Sequence, residues 1–181
     1  MCAQSSCSVR SIAKMYTDSC MPTCPLGNPR VFLIIGLPGS GKTAFINSNT
    51  ERFGSALDCD DYYKHAPPGN VGIRRSRYFD ALMQAFRARQ SVIVSEIVFC
   101  RETALAEFER ELSVALGGLG VSASIERIYF ENDPQACIAN VRRRARPERE
   151  EWEVAYILQT SPNYHIPADA IVVPVYRPPQ A

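Results

Sequence analysis

The 181 residues predict a three-layer α/β/α fold, with helices on both faces of a parallel sheet of roughly five strands. Short, continuous apolar runs recur along the chain. They are rich in β-branched residues, as strands buried on both faces require. Longer stretches with apolar residues at helical spacing stand between them. Strands alternating with helices call for a parallel sheet joined by helical crossovers, and there are no internal repeats and no sign of a second domain.

Residues 1–29 are rich in Ser, Cys and Pro and lack a sustained period, which predicts an N-terminal extension ahead of one domain over 30–181. "RVFLIIG" (30–36) reads as the first strand, and "GKTAFINSN" (41–49) as the helix that a glycine loop opens. "SALDCDD" (55–61) is a second strand ending in acids, followed by an inserted loop, "YYKHAPPGNVG". "IRRSRYFDALMQAFRARQ" (73–90) places Ile73, Tyr78, Phe79, Leu82 and Phe86 at helical spacings. "SVIVSEIV" (91–98) is a third strand, and "RETALAEFERELSVALGG" (101–118) a helix closed by glycine. "SASIERIYF" (122–130) is a fourth strand. "DPQACIANVRRRAR" (133–146) opens with an Asp cap and Pro at the first helical position. "REEWEVAYILQT" (149–160) is a further helix and "AIVVPV" (170–175) a last strand.

Hydrophobic residues at 46% and charged residues at 22% describe a chain that builds a core rather than a disordered one. The net charge of +1 gives no global field for a polyanion, so any nucleic-acid contact must come from local clusters. No apolar run approaches a membrane span, and the start lacks the apolar middle of a secretion signal, so a cytoplasmic location away from membranes is expected. Seven cysteines cannot all pair within the chain. Cys59, Cys100 and Cys137 read as buried core thiols. Cys2, Cys7, Cys20 and Cys24 crowd the extension, either as free thiols or as a zinc site whose spacing fits no common finger. His65 and His165 show no partner spacing for metal or nucleophile chemistry. Oligomeric state is not written in the chain.

"GLPGSGKT" (36–43) has the spacing G-x-x-x-x-G-K-[ST] between a buried strand and a helix. Its glycines bring backbone amides close to phosphate, and the helix adds its positive end. Gly36, Pro38, Gly39, Ser40, Gly41, Lys42 and Thr43 are therefore the candidate nucleotide cradle. Lys42 would reach the outer phosphates of ATP, and the Thr43 hydroxyl would bind a magnesium ion (Mg2+). Asp60 and Asp61 end the second strand at the carboxyl edge of the sheet, where ligands gather in such folds. An acid there can take a proton from an attacking hydroxyl or order water on magnesium; solvated turn aspartates would look the same.

"GLPGSGKT" followed by "DDYY" resembles the polynucleotide kinase branch of the P-loop kinases, with the zeta-toxin-type kinases as cousins. The resemblance spans residues 31 to about 175 and implies a P-loop kinase fold with a small helical lid, here about 142–151. It implies Asp60 as the base toward an acceptor hydroxyl and Glu96, in "SVIVSE", as an acid near the metal, although "SEIVF" departs from the usual Asp-Thr-Asn. Where the family has an arginine on the acceptor side, this chain has Lys64, out of register. By approximate carry-over, Arg143 and Arg146 are the lid arginines, within the run Arg142, Arg143, Arg144 and Arg146. A solvated face balanced by Glu148, Glu150 and Glu151 is the other reading of that run. Arg74, Arg75 and Arg77, with Lys64 and His65 upstream, fall on the expected acceptor side. With Tyr62, Tyr63 and Tyr78 they would grip a phosphodiester and stack a base, or serve as an exposed helix face. Asp61, Tyr62, Lys64, Arg74 and Arg77 are thus the candidate substrate contacts. Pro174 to Arg177 follow the last strand, where related kinases place the nucleotide base.

The implied activity is transfer of the γ-phosphate of ATP to an alcohol, with magnesium. The acceptor would be DNA or another hydroxyl-bearing nucleic acid: a hydroxymethylated pyrimidine base, as for phage kinases that look like this fold and act in the host cytoplasm, or a 5′-hydroxyl end. A small-molecule or nucleotide-sugar kinase, or a non-catalytic NTP-binding module, are the alternatives.

Overall fold

The computed structural model of the chain describes residues 28–59, 71–144 and 146–178, and over 71–78 the backbone alone. The strands are β1 (Arg30–Ile35), β2 (Leu57–Asp58), β3 (Val92–Val94), β4 (Ser124–Phe130) and β5 (Ile171–Val173). The helices are α1 (Lys42–Ser48), α2 (Thr50–Phe53), α3 (Val71–Arg87), α4 (Glu102–Leu119), α5 (Pro134–Arg143) and α6 (Pro147–Thr160), with 3-10 turns at Ile97–Cys100 and Ser161–Asn163. Among the described residues the sheet has the order β2-β3-β1-β4-β5 and every neighbouring pair is parallel.

Alternation along β1 separates two cores. Val31, Leu33 and Ile35 point to one face, where Leu82 and Phe86 of α3, Leu105, Phe108 and Leu112 of α4, and Ile157 of α6 cover them. Phe32 and Ile34 point to the other, with Ile46 and Phe53 from α1 and α2. Phe32 meets Phe53 edge-on with ring centroids 5.0 Å apart, and Phe45 meets Phe130 edge-on at 5.7 Å. This is why the first apolar run is continuous rather than alternating: the sheet is covered on both sides.

Several elements end elsewhere than their sequence patterns suggest, and two of them show why. The run "SVIVSEIV" does not continue as strand past Val94; Ile97–Cys100 coil into a 3-10 turn. On the β2 side the described ladder pairs Leu57 with Val92 and Asp58 with Ile93, and the Cys59 amide donates to the Ile93 carbonyl. Phe99 and Cys100 then bury themselves instead, Phe99 against Phe108 with centroids 4.9 Å apart. α4 runs through Gly117 and Gly118, where an added Cβ would meet nothing, and closes at Gly120 with φ +61°. There the Val121 amide reaches back to the Leu116 carbonyl, a Schellman closure that needs the left-handed residue. The start of α5 follows the pattern: Asp133 Oδ1 accepts from the Ala136 amide at 3.0 Å, with Pro134 at the first helical position.

Phe32→Ala should destabilise the domain by about 3–5 kcal/mol, read from the denaturation midpoint, because it opens a cavity between β1 and α2. Val114→Ala, on a side chain 72% exposed, should change stability by less than about 0.5 kcal/mol.

Candidate active site

At the carboxyl end of β1 the chain enters a loop whose residues Gly36 to Ser40 are all buried. The tight path comes from glycine. Gly39 has φ +79° and Gly41 φ +102°, conformations that L side chains resist. A Cβ on Gly39 would overlap the Cys137 carbonyl of α5, and one on Gly41 would overlap the Tyr176 side chain. The amides of the first turn of α1 have no acceptor within the helix and face outward with its positive end.

The loop is held from outside. Asn140, buried on α5, donates through Nδ2 to the Gly39 carbonyl at 2.8 Å and to the Tyr176 carbonyl at 2.6 Å. The Tyr176 amide donates to the Ser40 carbonyl at 2.9 Å. The Tyr164 hydroxyl donates to the Phe130 carbonyl at 2.7 Å, with the Ile35 carbonyl 3.2 Å away, so the ends of β1 and β4 share one anchor. Arg143 donates to Asn140 Oδ1 at 2.9 Å, which fixes the orientation of the Asn140 amide.

Lys42 is half-buried as a residue, but its ammonium is enclosed, donating to the carbonyls of Gly36 at 2.7 Å and Leu37 at 3.0 Å. Burial pushes its pKa below the ordinary lysine value, and the nearby Arg144 charge adds to the depression. The Cys100 and Cys137 thiols and the Glu96 carboxylate act the other way. Beside it, the Ser40 hydroxyl is buried and has no hydrogen-bond partner. An enclosed cation and an orphaned hydroxyl in a ring of backbone amides fit a polyphosphate. Thr43, exposed at the start of α1, and half-buried Glu96 supply a hydroxyl and a carboxylate, the hard oxygen donors that suit magnesium. The Cys100 and Cys137 thiols are raised by burial to about 12 and about 11, which makes them inert packing groups rather than nucleophiles. Among the described residues no cluster of His, Cys, Asp and Glu could hold a metal by itself, and no helix is long and apolar enough to cross a membrane.

The structure thus brings together Gly36, Pro38, Gly39, Ser40, Gly41, Lys42, Thr43 and Glu96. Asp60, Asp61, Tyr62 and Lys64 lie outside the described residues, as do the four cysteines of the extension. Arg74 and Arg77 stand in the first turns of α3, where only the backbone is described. Of the two arginines read as lid residues, Arg143 is engaged with Asn140 and Arg146 stands at the N-cap of α6.

Sequence reasoning passed over two residues. Arg144 is the arginine of the run whose charge reaches Lys42, while its guanidinium lies 4.0 Å from the buried Glu153 carboxylate. Asn140 is the loop clamp. Both were legible in principle: Cys137, Asn140 and Arg144 recur at i, i+3 and i+7, one face of α5, and a polar residue in that apolar stripe asks for a partner.

No protein-family model and no curated protein sequence matches the chain. Solved structures do resemble it. A gluconokinase from Sinorhizobium meliloti 1021 superposes with a TM-score of 0.52 at 16% identity, covering 83% of this chain and 85% of that one. A Chloroflexus aurantiacus protein provisionally assigned as a kinase superposes with a TM-score of 0.55 at 12% identity, covering 82% and 88%. A chain of the Pnkp1/Rnl/Hen1 RNA repair complex reaches 0.49 at 16% identity and is covered over 47% of its length, a likeness too weak to argue from. At these identities the first two establish the fold, the three-layer architecture seen in P-loop kinases.

Asn140→Leu should leave the Gly39 and Tyr176 carbonyls without their donor, costing about 1–3 kcal/mol in denaturant unfolding and weakening ATP in calorimetry. ATP binding at alkaline pH should draw in protons. Burial lowers the Lys42 pKa in the free protein and bound phosphates raise it again, so between the two values the complex holds the extra proton. Titration calorimetry in buffers of different ionisation enthalpy reads this uptake, and Lys42→Met should remove it.

Proposed function

We propose that the chain is an ATP-dependent kinase that phosphorylates an alcohol, and that this alcohol is carried by nucleic acid. The observation that carries the kinase reading is the enclosed Lys42 ammonium beside the unpartnered Ser40 hydroxyl, with the Arg144 and Glu96 charges bearing on the same point. Binding a triphosphate needs only the loop. The Arg144 and Glu96 charges that Lys42 feels add what transfer needs, since the transition state spreads negative charge over the moving phosphoryl group.

In this reading the loop amides and Lys42 hold the β- and γ-phosphates of ATP. Asp60, which follows Cys59 at the end of the β2 ladder in sequence, accepts the proton of the acceptor alcohol as its oxygen bonds to the γ-phosphorus. The bond from that phosphorus to the bridging oxygen breaks, and ADP leaves. Lys42 and Arg144 stay in place against the charge that develops. Arg143 acts through Asn140, and Arg146 opens the second half of the lid over about 142–151. Thr43 and Glu96 would hold magnesium, which neutralises the phosphate oxygens when bound.

A nucleic-acid acceptor, whether a hydroxymethylated pyrimidine in DNA or a 5′-hydroxyl end, is supported by the run from Asp61 through Tyr62 and Lys64 to Arg74 and Arg77. It combines aromatic and basic groups next to the proposed base. The near-zero net charge favours a second reading, a small polyol or nucleotide sugar as acceptor.

A screen with γ-labelled ATP decides between them, comparing single strands, duplex ends, hydroxymethylated duplex lacking free 5′-hydroxyls, and polyols. Label entering polyols alone would remove the nucleic-acid reading. Asp60→Ala should slow transfer by about 10²–10⁴-fold while ATP affinity stays near that of the parent; lost ATP affinity with intact transfer would refute Asp60 as the base.

A further inference from the structure

After β5 the chain runs into a segment, Pro174 to Arg177, that is built onto the phosphate loop. The Tyr176 amide donates to the Ser40 carbonyl at 2.9 Å, and the Tyr176 carbonyl accepts from Asn140 at 2.6 Å. A Cβ on Gly41 would overlap the Tyr176 Cβ. The Val175 side chain is buried, and its amide points to a Glu131 carboxylate oxygen 3.4 Å away. The Arg177 guanidinium is held by Asp133 Oδ2 at 2.8 Å, while Oδ1 of the same carboxylate caps α5. Pro174 and Pro178 have no amide N–H. Tyr176 itself is 46% exposed, so its side chain stands half open to solvent beside Gly41.

One base is told from another by a donor and an acceptor in register. Adenine sets an N6–H beside the N1 acceptor, and guanine sets the O6 acceptor beside an N1–H. The backbone N–H and C=O of a single residue form such a pair, but at Tyr176 both are spent on the loop and its clamp. The side chains around it are spent as well. Asn140 donates to two carbonyls and accepts from Arg143, and Asp133 serves the α5 cap and Arg177. Between 174 and 178 these bonds leave over one backbone N–H, that of Arg177, and a lone donor suits adenine N1 and guanine O6 alike. A half-exposed aromatic ring remains, and stacking accepts every base because each has a π-face. We infer that the loop takes nucleoside triphosphates as a class: it grips the phosphates, and Tyr176 stacks the base without reading its edge. This inference rests on the triphosphate reading above and widens the donor from ATP to any nucleoside triphosphate. Strong discrimination needs a site that hydrogen-bonds one base's edge, and here the polar groups that would form it hold the loop instead.

Titration calorimetry on the full chain with magnesium compares ATP, GTP, CTP, UTP and inorganic tripolyphosphate. The four nucleotides should bind within about tenfold of one another, and tripolyphosphate about 10–100-fold more weakly, the loss of one stacked base. Tyr176→Ala keeps the backbone bonds and the Cβ against Gly41 and removes only the ring. It should weaken all four nucleotides by a similar factor and leave tripolyphosphate unchanged, and Tyr176→Phe should restore the parent affinities. Tripolyphosphate weakened as much as the nucleotides in Tyr176→Ala would overturn the stacking role, since the ring would then be supporting the loop. ATP bound about a hundredfold or more tighter than GTP would overturn the inference and leave the kinase reading standing. So would the reverse preference, with Arg177 leaving Asp133 for the guanine edge. Binding of none of the five would sink the inference and the triphosphate reading together.

Discussion

Everything at the reaction edge depends on how closely backbone can pack around the loop between Gly36 and Lys42. The loop is not free-standing. It lies pressed between the end of β1, the Cys137 carbonyl of α5 and the Tyr176 backbone, with no room for a Cβ at Gly39 or Gly41. Asn140 closes the arrangement by donating to one carbonyl on each side of the gap. The amides can point in common toward a phosphate because the carbonyls are already satisfied on the protein side. A concave ring of donors costs little reorganisation when its rear is bonded in advance.

That packing also sets the electrostatics. Enclosing the Lys42 ammonium works against its charge, and two carbonyls only partly replace the water it loses. A phosphate bound at the loop would supply the missing counter-charge. The arginines at the junction of α5 and α6 are divided in role by partner. Arg142 stands 3.7 Å from Glu150, Arg143 is bonded to Asn140, and Arg144 stands between Glu153 and the neighbourhood of Lys42. Glu153 is itself buried and shared with Arg149, so the charge of Arg144 is loosely held rather than locked at its 4.0 Å separation.

Strand-helix alternation, the loop spacing and the Asp133 cap were readable because each is a local pattern with one conformational answer. The two misplaced ends were not local. Whether "SVIVSEIV" stays extended past Val94 depends on what it packs against, and Phe99 and Cys100 bury themselves in a 3-10 turn. Whether α4 stops at Gly117 or Gly120 depends on which glycine takes the left-handed angle that closes the helix. The run Arg142, Arg143, Arg144 and Arg146 was harder to read for a related reason: four arginines in five positions differ in nothing but direction. Direction is set by which face of α5 lies against the loop.

The sequence by itself determined the class of fold and the glycine loop from Gly36 to Thr43 between β1 and α1. Those follow from glycine's backbone freedom, helix polarity and the period of apolar residues. Tertiary structure alone decided which carbonyls Asn140 bonds, that the Arg144 charge is felt by Lys42, and that Tyr164 joins the ends of β1 and β4. Each depends on residues far apart in the chain coming together in space, and hydrogen bonds and charge interactions are fixed by that distance, not by order along the chain.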